Sequence, residues 1–594
     1  MDSTHKWGLY LLLISIAALL YLPFNHQMEL VHEEPRRVVI AQNMIESKDF
    51  FRPQMNGTLY FAKPPLQNWI IAATAGPLSP MTEFSVRVNT WIVAMILMLC
   101  VLVGTRRYLS LPVQFFLGCS IFLSPHIASK IILAEIEIAF VLLVTLNIWV
   151  WWLKYYRGDR GLKLWVWPSI ILGLSFLAKR EPAILFYYLP VCATLFLWKR
   201  DFKTFFSWGH FFGLGVFSLF LLAWPLPLIF EAGLERFLHD MNQEVLSRGG
   251  GFDILGHITH FITYPLEVWA AQMPFSAALL LFALPKVRQK AREMFSEHMI
   301  FAMVAIGVNF TPYLLKTDIA TRYFMPMHPS FLILSAFALE AARRAYTSKN
   351  LNKATIIFYA IGIPFLLIGT LLFCANLLIA LEGMQLKVIP FSFTENFGKA
   401  WINPYLALIL SIAALSSVII LHFSRQKLAD KYQMNVPLFF LVFALTFGGF
   451  AWRMSEIQAL LPQKSMKLDA REQIWPAIDR MHETVRDANG VVYIPTGLEA
   501  KLWFYDRHNI FKIKSLDSII EEALDEIGSG IKTVWILYLI PQNHFEKQLE
   551  TYVEKLNKKE IEMNYFVEFD SPHRNYSYRF LRIEIKKASS PTLR

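Results

Sequence analysis

About thirteen apolar runs of membrane-spanning length lie between Leu9 and Phe450, and they leave this chain one broad class of fold. In the first half they cover residues 9–22, 88–103, 113–123, 136–153, 164–177, 183–198 and 211–230. In the second half they cover 265–284, 299–314, 324–339, 354–381, 401–421 and 437–450. With 594 residues that are 55% hydrophobic and 15% aromatic, the chain is too apolar for a soluble protein of its size. The expectation is a polytopic α-helical membrane protein. No small-residue cleavage site follows the first run, which is therefore expected to stay as a span.

A net charge of +11 would on its own admit a nucleic-acid partner, but its placement argues against one. Basic residues gather in alternate short loops: Arg106-Arg107, Arg157 with Arg160 and Lys163, Lys199-Arg200, Lys286 to Arg292, Arg343-Arg344, and Arg425 to Lys431. The positive-inside rule puts these loops, and the amino terminus with them, in the cytoplasm. An odd number of spans then leaves the tail after Phe450 outside. All four cysteines fall in or beside apolar runs, so neither a disulfide framework nor a thiolate metal site is indicated.

Near Arg453 hydropathy falls and charge rises, which divides the chain into a membrane domain, residues 1–452, and a soluble domain, residues 453–594. The tail alternates β-rich runs (491–495, 502–505, 534–540, 565–569, 578–585) with amphipathic helical runs (472–487, 516–527, 544–556). That pattern reads as a small α/β or α+β domain with its own core. It carries no Gly-rich phosphate loop and no His/Cys cluster, so a structural or acceptor-docking lid is expected rather than a second active site.

Four outer loops hold groups that a membrane surface tolerates only with a use. The first contains Glu33, Glu34, Arg36, Arg37 and then Lys63-Pro64-Pro65. The second is Ala134-Glu135-Ile136-Glu137, whose last carboxylate sits just inside a span and needs a partner. The third is long and includes Asn242, Gln243, Glu244, Arg248 and the glycines 249–251. The fourth is the KTDIATRYFMPMHP segment with Arg322 and Tyr323. One of the adjacent acids suits a general base for a hydroxyl acceptor, the other a helix cap or a partner of the arginines. Lys63, Arg248 and Arg322, with the Tyr323 hydroxyl, suit a clamp on a phosphate. His257, His260 and His328 lack metal-ligand spacing and are expected at the membrane interface.

These segments resemble the polytopic GT-C glycosyltransferases of bacteria, in the branch of the lipid A aminoarabinose transferases and the relatives of protein O-mannosyltransferases. The likeness rests on Glu33-Glu34-Pro35-Arg36, on the Asn56-to-Lys63-Pro64-Pro65 stretch with Asn68-Trp69, and on Arg322-Tyr323-x-x-Pro326-x-x-Pro329. It implies a GT-C-like fold with about thirteen transmembrane helices and a periplasmic carboxyl-terminal domain. It also implies inverting transfer of a hexosyl or pentosyl group from an undecaprenyl-type phosphate to an acceptor at the periplasmic face of the inner membrane. The acceptor class stays open between a membrane lipid such as lipid A, a glycan and a protein. Carried over by position, Glu33 takes the place of the catalytic Asp and Glu34 that of the following acid. Lys63, Arg322, Tyr323 and, by a looser match, Arg248 meet the donor phosphate, and Glu137 stands for a second Asp. The expectation is a monomer with no nucleic-acid partner. No cofactor or metal-ligand set can be named, and a divalent metal stays open.

The chain departs from that pattern in three places. Glu33 is one methylene longer than Asp, Ala62 stands where the aminoarabinose transferases carry an acid, and Lys179-Arg180-Glu181-Pro182 replaces the more usual Lys-Gly-Pro. Two other classes compete with the enzyme. A transporter or flippase for a lipid-linked or anionic substrate would place ionisable groups or broken helices in mid-span, where this chain is largely apolar. A non-enzymatic scaffold leaves the converging charges without a use.

Overall fold

Apolar runs in a bilayer must satisfy their backbone internally, and here they do so as helices. The computed structural model describes residues 3–24, 30–55, 58–78, 80–239, 254–317, 319–346, 352–383, 434–460, 492–494, 511–513, 532–540, 561–573 and 576–587. Among these, nine helices are long and apolar enough to cross a membrane, or eleven if each of two bent pairs is one span. The first run lies in the Ser3–Tyr21 helix, whose apolar part, Lys6–Tyr21, is shorter than those nine, and run 401–421 lies outside the described residues. One bent pair, Leu111–Leu123 with Pro125–Ile131, turns by 60°. Ser124 is extended before Pro125, because a residue ahead of proline is pushed out of the helical region.

Contacts divide the chain into two units. The first comprises Met1–Met28, Met44–Pro53 and Leu59–Lys464, and the second Glu29–Asn43, Gln54–Thr58 and Ser465–Arg594.

Among the described spans of the first unit, Thr321–Ala345 is the most enclosed, with 94% of its apolar stretch buried. By contrast the Phe202–Ala232 and Ala354–Ile379 spans bury only 22% each and present apolar flanks outward. At one end of the helices the basic loops are tied down. Ser110 donates to Glu340 through its amide (3.1 Å) and hydroxyl (2.7 Å), and Arg343 (2.7 Å) and Arg344 (2.9 Å) neutralise that buried acid. Trp152 donates to Nδ1 of His298 (2.9 Å), whose Nε2 meets the Tyr108 hydroxyl at 3.0 Å. Tyr155 donates to Asp201 at 3.0 Å. The same helices start or finish at their other ends with Glu137, Lys179, Glu181 and His328. The two ends are chemically distinct.

The second unit holds a mixed five-stranded sheet. Val492–Ile494 runs parallel to both Phe511–Ile513 and Lys532–Ile540. Tyr576–Lys587 pairs antiparallel with Lys532–Ile540 on one side and with Ile561–His573 on the other. Four of the five expected β-rich runs fall on these strands. The fifth, 502–505, and all three helical runs of the tail lie outside the described residues.

Candidate active site

The helix ends opposite the basic loops bring ionisable groups of the membrane unit together. Glu137 is the first residue of the Glu137–Tyr156 helix and Lys179 the last of the Leu162–Lys179 helix. A carboxylate at a helix start and an ammonium at a helix end each sit in a favourable dipole field. These consecutive helices pack together, so Lys179 Nζ lies 3.4 Å from Glu137 Oε1, with the side chains 16% and 17% exposed. The partner that a carboxylate inside a span requires is Lys179. Its ammonium also lies 5.2 Å from the Tyr323 ring centre and 5.5 Å from that of Phe140, within cation–π range.

Breaking this pair one side at a time has a predictable cost. Lys179→Met strands a largely buried carboxylate and is expected to destabilise the protein by about 3 kcal/mol. Adding Glu137→Gln removes that uncompensated charge, so the double variant should recover most of the loss in thermal unfolding of detergent-solubilised protein. Equal destabilisation of single and double variants would show that the pair does not hold these helix ends.

Arg322 and Tyr323 lie on the 3₁₀ turn Thr321–Met327, which feeds the His328–Ala345 helix. Arg322 is exposed, its guanidinium 5.4 Å from the Tyr323 ring centre, and it meets no carboxylate among the described residues. Next to it, Thr321 Oγ1 and His126 Nε2 are 3.4 Å apart, and the His126 ring stacks on His328 at 5.4 Å and 11°. His328 is fully buried, which corrects its expected place at the membrane interface: the turn rotates it under the motif. Lys130, beside the Pro125 bend, forms an ion pair with Glu135. His260 Nε2 meets the Tyr313 carbonyl at 3.0 Å.

The segment before Lys63 is fixed by packing. Phe61 sits in a cluster with Leu177, Trp224, Leu228 and Phe237, and Leu177 is two residues ahead of Lys179. Tyr60 donates its amide to the Pro53 carbonyl at 2.8 Å, and Pro64-Pro65 stiffen the run into the Leu66–Ala75 helix. Lys63 itself is half-buried. A further cation, Arg236, lies 5.8 Å from the Phe61 ring centre.

Arg180 stands between two helices at φ 62° and ψ −136°, a conformation that suits glycine. The Lys-Gly-Pro pattern is thus broken at the position where its glycine is easiest to explain. Contacts hold the arginine there: Glu181 at 2.8 Å and the Trp224 ring at 6.0 Å. Arg180→Gly and Arg180→Ala both lose those contacts, and only glycine relieves the backbone. The glycine variant should unfold later, by about 1 kcal/mol in its favour; equal stability would mean the backbone there is unstrained.

In the second unit, Glu33 closes the start of the Glu34–Ser47 helix, its carbonyl accepting from the Arg37 amide at 3.1 Å. Its carboxylate is 3.1 Å from Arg36 and 3.8 Å from Arg37, and the side chain is 47% exposed. Glu34 differs: it is fully buried and accepts from the Val31 amide at 2.9 Å. A buried Glu at a helix start, with its tie to a preceding amide, does the work of a cap.

Of the expected residues, Glu137 and Tyr323 are thus brought together through Lys179, with Arg322 next to Tyr323, and Lys63 follows the packed Phe61. Arg248, Asn242, Gln243, Glu244 and the glycines 249–251 lie outside the described residues. No three His, Cys, Asp or Glu side chains gather closely enough to hold a metal among the described residues. Sequence reasoning passed over His126 and Lys130 and left Lys179 without a role. The signal for Lys179 was present, since consecutive spans must place the end of one beside the start of the other.

No family model matches the chain. It is 27% identical over 204 residues to the undecaprenyl phosphate-α-4-amino-4-deoxy-L-arabinose arabinosyl transferase of Pseudomonas savastanoi pv. phaseolicola, covering 34% of this chain and 37% of that one. A Pseudomonas fluorescens transferase of the same name is 26% identical over 230 residues, 38% of this chain and 41% of its own. The chain therefore spans less than half the length of these relatives. Among solved structures, apo ArnT from Cupriavidus metallidurans superposes with a TM-score of 0.64 over 98% of both chains at 12% identity. The chain has the GT-C fold of ArnT. The structure of ArnT bound to undecaprenyl phosphate aligns almost as well, with a TM-score of 0.61 over 98% of both chains at 13% identity. The branch expected from the three motifs, that of the lipid A aminoarabinose transferases and the relatives of protein O-mannosyltransferases, contains the relatives that the comparisons return, and the ArnT fold is the polytopic helical one expected from the apolar runs.

Proposed function

We propose that this protein transfers a sugar from an undecaprenyl-type polyprenyl phosphate to an acceptor at the periplasmic face of the bacterial inner membrane, with inversion at the anomeric carbon. The observation that supports it most is the meeting of Glu137, Lys179 and the Arg322-Tyr323 segment at the helix ends away from the basic loops. It occurs on the fold of a protein that binds undecaprenyl phosphate. In the transfer, the acceptor hydroxyl attacks the anomeric carbon and gives its proton to a carboxylate. The bond from that carbon to the phosphate oxygen breaks, and its electron pair leaves on the polyprenyl phosphate. Lys63, Arg248, Arg322 and the Tyr323 hydroxyl offset the charge that develops there.

Glu33 is the base in this reading, since its side chain is partly exposed whereas Glu34 is buried. Glu34 secures the helix start, and Glu137 positions Lys179 against Tyr323. Residues 1–452 form the transferase domain and residues 453–594 a periplasmic domain, with the protein acting as a monomer. The basic helix ends then face the cytoplasm. Alkaline phosphatase fused after Lys464, where the second unit resumes, should be active; a silent fusion there would place the tail inside. The reaction itself is tested by mass spectrometry of envelope lipids and glycans from cells with and without the gene. A mass difference of one sugar on one component names both donor sugar and acceptor, and identical profiles would remove the proposal.

A further inference from the structure

A cavity of about 290 Å³ opens near the basic end of the membrane unit, far along the helices from the residues assigned to transfer. Leu97, Val101, Leu146 and Phe337 line its apolar part, and Tyr108 and His298 close its polar end. That end is rigid, because His298 is held between the Trp152 indole and the Tyr108 hydroxyl. Val103, Ile96 and Ile92 of the Glu83–Thr105 helix, the first of them lining the cavity, are 41%, 43% and 40% exposed. Three exposed apolar side chains on one face of a membrane span meet lipid, so the cavity is continuous with the acyl region of the bilayer.

Three cations adjoin its lining residues along the chain. Arg106 and Arg107 lie between the lining residues Thr105 and Tyr108, and Arg157 is one turn beyond the lining residue Leu153. The charges of Arg107 and Arg157 both act on the Tyr108 hydroxyl. All three arginines are exposed, and none is paired with a carboxylate among the described residues. Arg106 and Arg157 are the caps of two helix carboxyl ends and partly neutralise them, which leaves Arg107 in surplus. An apolar slot open to lipid beneath unpaired guanidinium groups matches a single ligand with an acyl chain and an anionic head.

We propose that this cavity binds an anionic phospholipid, one acyl chain in the slot and the phosphate on Arg106, Arg107 and Arg157. The site is separate from the donor site, and the transfer reaction does not require it. Trp149 lines the cavity and serves as the reporter. Purified full-length protein in phosphatidylcholine vesicles receives dibromostearoyl-phosphatidylglycerol or, in parallel, dibromostearoyl-phosphatidylcholine. The Trp149 component is the difference between wild type and Trp149→Phe. The anionic lipid should quench it at about one-tenth the mole fraction the zwitterionic lipid needs. Replacing Arg106, Arg107 and Arg157 together with Gln should abolish that preference. Each single Gln replacement should weaken it by about threefold, which keeps the test open if the triple variant fails to insert. Equal quenching by the two lipids, no quenching of Trp149, or a preference that survives the Gln variants would each overturn the site.

Discussion

Arg322→Ala should lower sugar transfer by about a hundredfold while the protein still accumulates in the membrane. The size of the effect follows from where the charge sits. Arg322 is exposed, meets no carboxylate among the described residues, and is carried at the start of the most enclosed span. Its guanidinium is therefore available to a ligand, and removing it leaves no buried group stranded. A charge-assisted contact to a leaving phosphate strengthens as the sugar–oxygen bond breaks, so its loss falls on turnover more than on donor binding. Arg322→Lys keeps the charge without the fork geometry and should retain part of the activity. Lys63→Ala should match Arg322→Ala, and Arg248→Ala should be milder. The measurement is transfer from a polyprenyl-phosphate sugar in membranes, normalised to protein level. Near-normal turnover by the Lys63 variant would remove the central piece of the clamp.

The second large effect separates the adjacent acids. Glu33→Gln keeps the size of the side chain and removes its basicity, so transfer should fall by about a hundredfold or more with donor binding intact. Glu34→Gln should retain more activity and lose stability, because Glu34 is buried and bonded to the Val31 amide. Removing the charge from that cap should cost about 1 kcal/mol. Glu33→Asp keeps a base one methylene short of its proton and should be partly active. Transfer assays beside thermal unfolding of each variant decide the assignment. A Glu33→Gln enzyme with normal turnover, next to a folded but inactive Glu34→Gln, would reverse the two roles. Activity in both would move proton abstraction elsewhere, and Glu137 would be the next residue to test.

Residue type and spacing pointed to several members of the candidate site. Glu137 advertised itself by lying inside an apolar run, where a carboxylate demands a partner. Arg322 and Tyr323 did so by their spacing to Pro326 and Pro329. His126 was invisible because a lone histidine next to Ser124-Pro125 has no pattern of its own; only the 60° bend at that proline turns it against Thr321 and His328. His328 looked like an interfacial residue because it follows a polar loop, yet the 3₁₀ turn before it folds the ring into the protein. Arg180 was an unexplained insertion of charge until its positive φ showed which backbone position it had taken.

Hydropathy by itself determined that this chain is a multi-span helical membrane protein, because a backbone in lipid has no alternative use for such long apolar runs. Alternating basic loops likewise determined that the helix ends fall into two chemical classes. What pairs with what was decided only by the tertiary structure. Lys179 meets Glu137 because two consecutive helices pack, and it meets Tyr323 because a helix from far along the chain packs beside them. The same holds for the acid pair of the first loop. Sequence order places Glu33 and Glu34 beside the first span, whereas the contacts group Glu29–Asn43 with the tail after Ser465. Local pattern reads neighbours along the chain, and these partners are distant along it.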